Sequence, residues 1–228
     1  MIDTNHAEAS VQSKNSLLAR FRDIPAALLH EAMGKRGALN HDVRPIYPSA
    51  KLVGSALTIQ GYPGDNLMLH LAISLAQPGD ALVATVGGYL EAGLWGEIAS
   101  TAAIARQIQG LVTDGAVRDV TATTALGFPV FSRGVCIKGT TKKHAGTINQ
   151  PITIAGVIVS PGDIVVGDAD GVVVVPLSSA EQVLATAREI AGREDTMLSA
   201  LREQRASTID LLQLRPVIHE LGLEHYQT

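Results

Sequence analysis

Two short stretches of this chain bring together residue types that can do chemistry. In the first, Trp95, Gly96, Glu97 and Ile98 open a helical pattern after an apolar run and a glycine-rich turn. A helix start leaves backbone N–H groups unpaired and carries the positive end of the helix dipole, so it favours an anion such as a carboxylate. Gly96 lets a ligand approach the backbone closely. In the second, Asp114, Gly115, Ala116, Val117, Arg118 and Asp119 follow a short buried strand. Arg118 offers a planar fork for a carboxylate or carbonyl oxygen, and Asp119 is a hard oxygen ligand suited to Mg²⁺ or Mn²⁺. Taken singly, each stretch has a plain structural explanation: a glycine permitting a turn, a glutamate balancing a helix dipole, an ion pair ending a strand. The pairing says more: Glu97, twenty intervening residues, then Arg118 and Asp119.

The elements that must position these loops are read from periodicity and punctuation. Strands are expected over 52–60, 81–86 and 110–113, with helices over 65–76 and 97–109 between them, so that the two loops leave neighbouring strands. A first helix over 24–33 would have Asp23 as its cap, Pro25 in its first turn and Gly34 as its stop. Segments 128–131, 152–159, 164–166 and 172–175 read as β-rich. Ser178 and Glu181 form a capping-box pattern opening a helix to about residue 204, and 211–223 reads as a terminal helix or arm. The organisation expected is a core over 1–177 and a helical extension over 178–228.

Composition limits the classes of function. The chain has 228 residues, 46% hydrophobic but only 4% aromatic, so its core is built from Ala, Val, Leu and Ile and little aromatic surface is left for stacking bases. A net charge of -4 and no Lys/Arg run longer than two residues leave no footprint for nucleic acid. Small-molecule or protein partners are expected instead. No segment reaches the roughly 18 apolar residues of a membrane span, the polar 1–14 stretch does not read as a signal region, and a single cysteine cannot form an internal disulfide. A cytoplasmic protein is expected.

Other polar residues invite less. The seven histidines form no HxH or HxxxH pair, so zinc is weakly supported, and His30 beside Glu31 reads as a helix-end histidine. Cys136 reads as a small buried hydrophobe. Pro-Gly-Asp occurs three times, at Pro63, Pro78 and Pro161, and is explained by turn chemistry. Asp168-Ala169-Asp170-Gly171, between valine-rich runs, reads as a hairpin turn and not a calcium loop. Gly87, Gly88, Gly93 and Gly96 lack dinucleotide-fingerprint spacing. Trp95 is expected to pack the loop it starts. Along the long helix Val183, Ala187, Ile190, Glu194, Met197 and Leu201 follow a four-three spacing that sets Glu194 on the apolar stripe, unless Gly192 breaks the helix. A carboxylate on that stripe needs a partner.

The sequence resembles the class II pyruvate aldolases that act on 4-hydroxy-4-methyl-2-oxoglutarate and 4-carboxy-4-hydroxy-2-oxoadipate, and the related regulators of ribonuclease activity. The likeness is carried in order by His30-Glu31-Ala32 with Gly37, Arg44-Pro45-Ile46-Tyr47, Pro63-Gly64-Asp65-Asn66, Trp95-Gly96-Glu97, Gly115 with Arg118-Asp119-Val120, Gly127-Phe128-Pro129-Val130 and Gly167-Asp168-Ala169-Asp170-Gly171-Val172. It implies an α/β, three-layer β/β/α swivelling domain with a C-terminal helical extension, assembled as homotrimers or homohexamers with sites between subunits. It implies a metal-dependent carbon-carbon lyase of aromatic-compound catabolism that releases pyruvate from an oxo acid, with oxaloacetate decarboxylation as a side activity. By position it implies that Asp119 binds the divalent cation, that Glu97 holds it through water, and that Glu194 reaches the site of a neighbouring subunit. Arg118 would contact the pyruvyl part, and the amides of Gly96, Glu97 and Ile98 its carboxylate. The run Thr121-Ala122-Thr123-Thr124-Ala125 departs from many such aldolases, which carry an acidic residue there. The regulators supply the alternative, a non-catalytic protein that binds a ribonuclease or another partner; they are close to the bare core, whereas the segment after Ser178 adds helices like those of the aldolases.

Overall fold

The apolar runs that read as strands lie side by side in one mixed sheet. The computed structural model describes residues 4–226, with backbone only for 4–11. In chain order it has α1 (Thr4–Ala19), α2 (Ala26–Ala32), β1 (Arg44–Pro45), β2 (Leu52–Gln60), α3 (Leu67–Leu75), β3 (Asp80–Thr85) and α4 (Glu97–Ala105). There follow β4 (Gly110–Thr113), β5 (Ala116–Val117), α5 (Val120–Ala125), β6 (Val130–Ser132), β7 (Gly134–Val135) and β8 (Thr147–Ile148). The core closes with β9 (Ile152–Ile154), β10 (Val157–Val159), β11 (Ile164–Asp168) and β12 (Gly171–Val175), before α6 (Ala180–Arg202), α7 (Thr208–Leu211) and α8 (Arg215–Glu220). Helix α1 was not expected; of the polar 1–14 opening, residues 1–3 lie outside the described residues. Two compact units are distinguishable, one through Leu184 and one from Ala185.

The sheet runs β1-β6-β4-β3-β2-β11-β12, with β8 added against the end of β2. Strands β2, β3, β4 and β6 are mutually parallel, and β1, β11 and β12 pair antiparallel at the flanks. Alternation along each strand divides its side chains between two faces. Leu82, Ala84 and Leu111 pack with Met68, Ala72 and Ala103 of the helices, whereas Ala81, Val83 and Val112 pack with Ile152, Ile154 and Val159. The layers are therefore a β9–β10 hairpin, the sheet and the helices, a β/β/α arrangement. Leu82 and Leu111 are fully buried, so truncating either to alanine should cost about 2–5 kcal/mol.

Several element ends differ from expectation for local reasons. Segment 152–159 is a hairpin and not one strand, because Ala155 and Gly156 both take positive φ, 44° and 86°. Helix α4 stops at Ala105, short of residue 109, as Gln107 turns left-handed at φ 58°. Asp23 does not cap α2; the Ala26 N–H donates at 2.8 Å to Oδ2 of Asp168, the last residue of β11, just before the two-residue turn into β12. Arg44 donates to the carbonyls of Ala169 and Asp170 in that turn, which accounts structurally for two of the family-like motifs. Both nitrogens of the Arg20 fork donate to Glu181, Nη2 at 2.8 Å, and a 3₁₀ turn over Leu177–Ser179 precedes α6, which starts at Ala180. Within the second unit α6 runs through Gly192, and segment 211–223 is broken, with α8 inside it. Cys136 is half-buried just after β7, not a fully buried strand residue. His30 sits in the last turn of α2 with Nδ1 2.9 Å from the Arg36 carbonyl. No helix among the described residues is long and apolar enough to cross a membrane.

Candidate functional site

Because β3 and β4 are neighbours in parallel register, the loops leaving their C-terminal ends meet, the usual place for a ligand in such sheets. A buried carboxylate holds them together. Asp114 accepts from the Thr85 hydroxyl at 2.6 Å, from the Val86 N–H at 2.7 Å and from the Gly88 N–H at 3.1 Å. Main-chain bonds continue the seam: Gly93 N–H to the Lys138 carbonyl (2.9 Å), Leu94 N–H to Ala116 (2.8 Å) and Arg118 N–H to Trp95 (2.8 Å). Trp95 is buried, stacks on Phe128 and donates to the Ser100 hydroxyl at 2.7 Å, so it packs the loop as expected. The close approach demands glycine. A Cβ at Gly96 would lie 2.2 Å from Asp119 Oδ2, and one at Gly93 would lie 2.4 Å from the Cys136 carbonyl.

Between these loops lies a cleft of about 210 Å³ whose walls include Gly96, Ile98, Arg118 and Asp119. Asp119 sits at φ 53°, a left-handed conformation that aspartate tolerates better than most residues. Its carboxylate makes no cap to its own helix α5 and instead accepts the Glu97 N–H through Oδ2 at 3.2 Å, with Arg118 Nε 3.6 Å away. The amide of Glu97 is thus committed to Asp119, while those of Ile98 and Ala99, in the first turn of α4, have no intrahelical acceptor. The Glu97 side chain is exposed at the head of α4 and is not among the cleft-lining residues. Glu194 belongs to the second unit, where it is exposed on α6. Among the described residues no group of three or more His, Cys, Asp or Glu side chains is placed to hold a metal ion.

Other cleft residues carried no assignment from sequence. Asn66, His70, Thr140 and Lys142 also line it. Asn66 Nδ2 donates to the Leu94 carbonyl at 2.9 Å, which identifies Oδ1 as an acceptor; Oδ1 is buried without a partner among the described residues. His70 has its pKa pushed down, first by burial and then by the charge of Lys142. Asn66 lies in a motif already quoted for the resemblance, but nothing local marked it as lining a cleft. Lys142 comes from a loop far along the chain with no motif of its own. A larger cavity of about 510 Å³, bounded by Met33, Arg36, Ile158, Val174 and Val183, has no carboxylate or nucleophilic pair in its walls.

Fold and cleft together define an α/β protein of the three-layer β/β/α class with a polar-lined cleft at the ends of two parallel strands. Residues 23–174 match the RraA-like family, described as Aldolase/RraA, and the chain belongs to that family. A Halalkalibacterium halodurans protein provisionally named a 4-hydroxy-4-methyl-2-oxoglutarate aldolase is 38% identical over 178 residues, 78% of this chain and 85% of its own. Among solved structures, an uncharacterised Pseudomonas syringae protein is similar with a TM-score of 0.76 at 29% identity, over 88% of this chain and 97% of its own. Streptomyces coelicolor RraAS2, described as an unusual member of the RNase ES inhibitor RraA family, has a TM-score of 0.72 at 27% identity, over 82% of this chain and 98% of its own.

Proposed function

We propose that this chain is a divalent-metal-dependent lyase that cleaves a 4-hydroxy-2-oxo acid between C3 and C4 and releases pyruvate. The observation that carries the reading is the meeting of Arg118, Asp119 and the first turn of α4 in one cleft. The name of the Halalkalibacterium relative supports the substrate class.

The residues fit a hard dication. Asp119 Oδ2 is steadied by the Glu97 amide and its carboxylate is 41% exposed toward solvent, which suits a cation that keeps most of its own waters. When bound, Mg²⁺ or Mn²⁺ would supply Lewis-acid neutralisation of negative charge at the keto oxygen. The remaining work falls to the protein. Arg118 grips the pyruvyl end and opposes the charge that grows as the enolate forms, and the free amides of Ile98 and Ala99 hold the carboxylate. Because oxaloacetate passes through the same enolate on losing CO₂, its decarboxylation is a second activity of this reading.

Assembly as a trimer or hexamer belongs to the same reading. The second unit exposes Leu198, Leu212, Val217, Leu221 and Tyr226, apolar surface that a neighbouring subunit would cover. Glu194, exposed on α6, would then act at that neighbour's cleft, completing the carboxylate set with Asp119 and Glu97.

Pyruvate release from 4-hydroxy-4-methyl-2-oxoglutarate, measured with Mg²⁺ and with excess EDTA, tests this. Metal-dependent turnover is expected. Inactivity on every 4-hydroxy-2-oxo acid, with or without metal, would overturn it and favour a second reading, a non-catalytic ribonuclease regulator, which the likeness to RraAS2 supports.

A further inference from the structure

The three Pro-Gly-Asp turns share one backbone form but not one use of the aspartate. In each, the aspartate N–H donates to the carbonyl three residues back: Asp65 to Tyr62 (3.0 Å), Asp80 to Gln77 (3.0 Å) and Asp163 to Ser160 (3.1 Å). The glycines all take positive φ, 74°, 88° and 88°. Asp80 and Asp163 each turn one oxygen back on the turn, accepting the Gln77 N–H at 2.8 Å and the Ser160 N–H at 2.9 Å, and use the other on one further donor, Lys14 Nζ at 2.9 Å and the Leu177 N–H at 3.1 Å. Asp65 instead gathers several donors from one distant loop.

Its carboxylate is only 3% exposed and binds a distant loop. Oδ2 accepts from the Thr141 hydroxyl at 2.7 Å and from the Lys143 and His144 N–H groups at 2.6 and 3.2 Å. The His144 ring lies 3.3 Å away through Nδ1 and stacks on Tyr62. Oδ1 meanwhile accepts the Leu67 N–H at 2.9 Å, at the start of α3. Main-chain bonds from Thr141 N–H to Gly64 (2.9 Å) and from Asn66 N–H to Thr141 (3.1 Å) complete the join. The segment held in this way carries Thr140 and Lys142, both of which line the cleft. Lys142 makes no ion pair or hydrogen bond among the described residues.

We propose that Asp65 is a positioning residue whose buried carboxylate staples the 140–144 loop, so that Lys142 faces the cleft and takes a second, distal carboxylate of the substrate. This rests on the lyase reading, whose substrate class already carries a distal carboxylate, and adds the residues that meet and position it. The cleft walls carry two cations, Arg118 and Lys142, against the single carboxylate of Asp119, a balance suited to a dianion. The depressed pKa of His70 agrees, since Lys142 is one of its causes and the ring leaves the ammonium as the charge at that wall.

The test compares pyruvate release from 4-hydroxy-4-methyl-2-oxoglutarate and from 4-hydroxy-2-oxopentanoate, which lacks the distal carboxylate, by the full chain and its variants. Lys142→Met and Asp65→Asn should each raise KM for the dicarboxylate about tenfold to a hundredfold, the value of a charged hydrogen bond, with kcat held within about twofold. Both should leave the shorter substrate unaffected. Thr141→Val, which removes one donor to the staple, should act in the same direction more weakly, and covers the case in which Asp65→Asn fails to fold. Asp80→Asn, in the sister turn, should change neither substrate. Equal losses on both substrates, or a normal KM in Asp65→Asn, would overturn the proposal. If the unmutated chain releases no pyruvate from either compound, the lyase reading fails by itself, and the staple is then read from the NMR titration of His70. That titration should move up in both Lys142→Met and Asp65→Asn; an unchanged His70 in Asp65→Asn would overturn the staple.

Discussion

The Glu97 amide and the Asp119 carboxylate meet at 3.2 Å across two loops twenty-two residues apart in sequence. That bond joins the head of α4 to the head of α5. It also consumes one of the free N–H groups that a helix start offers, which leaves the next amides along α4 as the ones without an intrahelical acceptor. The left-handed backbone of Asp119 turns its carboxylate to this use instead of capping its own helix.

Gly96→Ala should lower activity about 10²-fold with the fold retained. The added methyl would sit 2.2 Å from Asp119 Oδ2, so one of the two loops must move. A displacement of about 1 Å at a catalytic group costs on the order of 10²-fold, to be read as kcat/KM for pyruvate release beside an unchanged far-ultraviolet circular dichroism spectrum.

Arg118→Lys should lower kcat by about 10²–10³-fold, because a point charge replaces the planar fork facing the developing enolate. Near-normal turnover in this variant would remove Arg118 from the role assigned to it.

Asp119→Asn should fold normally, since asparagine tolerates the same φ of 53°. It should lose most of its Mn²⁺ affinity, measured by calorimetric titration, because a neutral amide replaces the charged hard ligand.

Replacing Thr85 by valine should destabilise the core unit by about 1–3 kcal/mol in urea unfolding. The change removes the donor at 2.6 Å from a carboxylate that is buried and has few other partners.

Acid should weaken the fold partly through Asp65. Burial alone would raise its pKa, but the N–H groups of Lys143 and Leu67, the Thr141 hydroxyl and the His144 ring together hold it well below the usual carboxylate range. Its folded-state pKa is therefore lower than its unfolded value of about 3.9, so its contribution is complete above that value and declines as pH falls further. Thermal melts between pH 7 and pH 2 should show a shallower acid decline in Asp65→Asn than in the unmutated chain.

Much of the architecture was legible because it depends on short-range rules. The strand Gly110–Thr113 is buried along its whole length, as a strand with parallel neighbours covered on both faces requires, and Leu52–Gln60, whose burial alternates over most of its length, also occurs where its sequence placed it. The adjacency of the two loops followed from the strand–helix–strand order. Arg118 and Asp119 stood out in the sequence for their residue types, and the structure sets them in the same cleft as Gly96 and Ile98. What the residue order could not express was every contact made by a side chain across a long sequence separation. The Asp168 carboxylate caps a helix 142 residues earlier in the chain, where Asp23 was expected to do so. Glu181, at the start of its helix, accepts from Arg20, 161 residues earlier. Three identical Pro-Gly-Asp turns differ in use because only one of them lies beside the 140–144 loop. Local sequence determined the backbone of those turns through the fixed φ of proline and the freedom of glycine. Tertiary packing alone decided which loop each carboxylate would meet, because a buried charge takes the donors that the fold brings within reach.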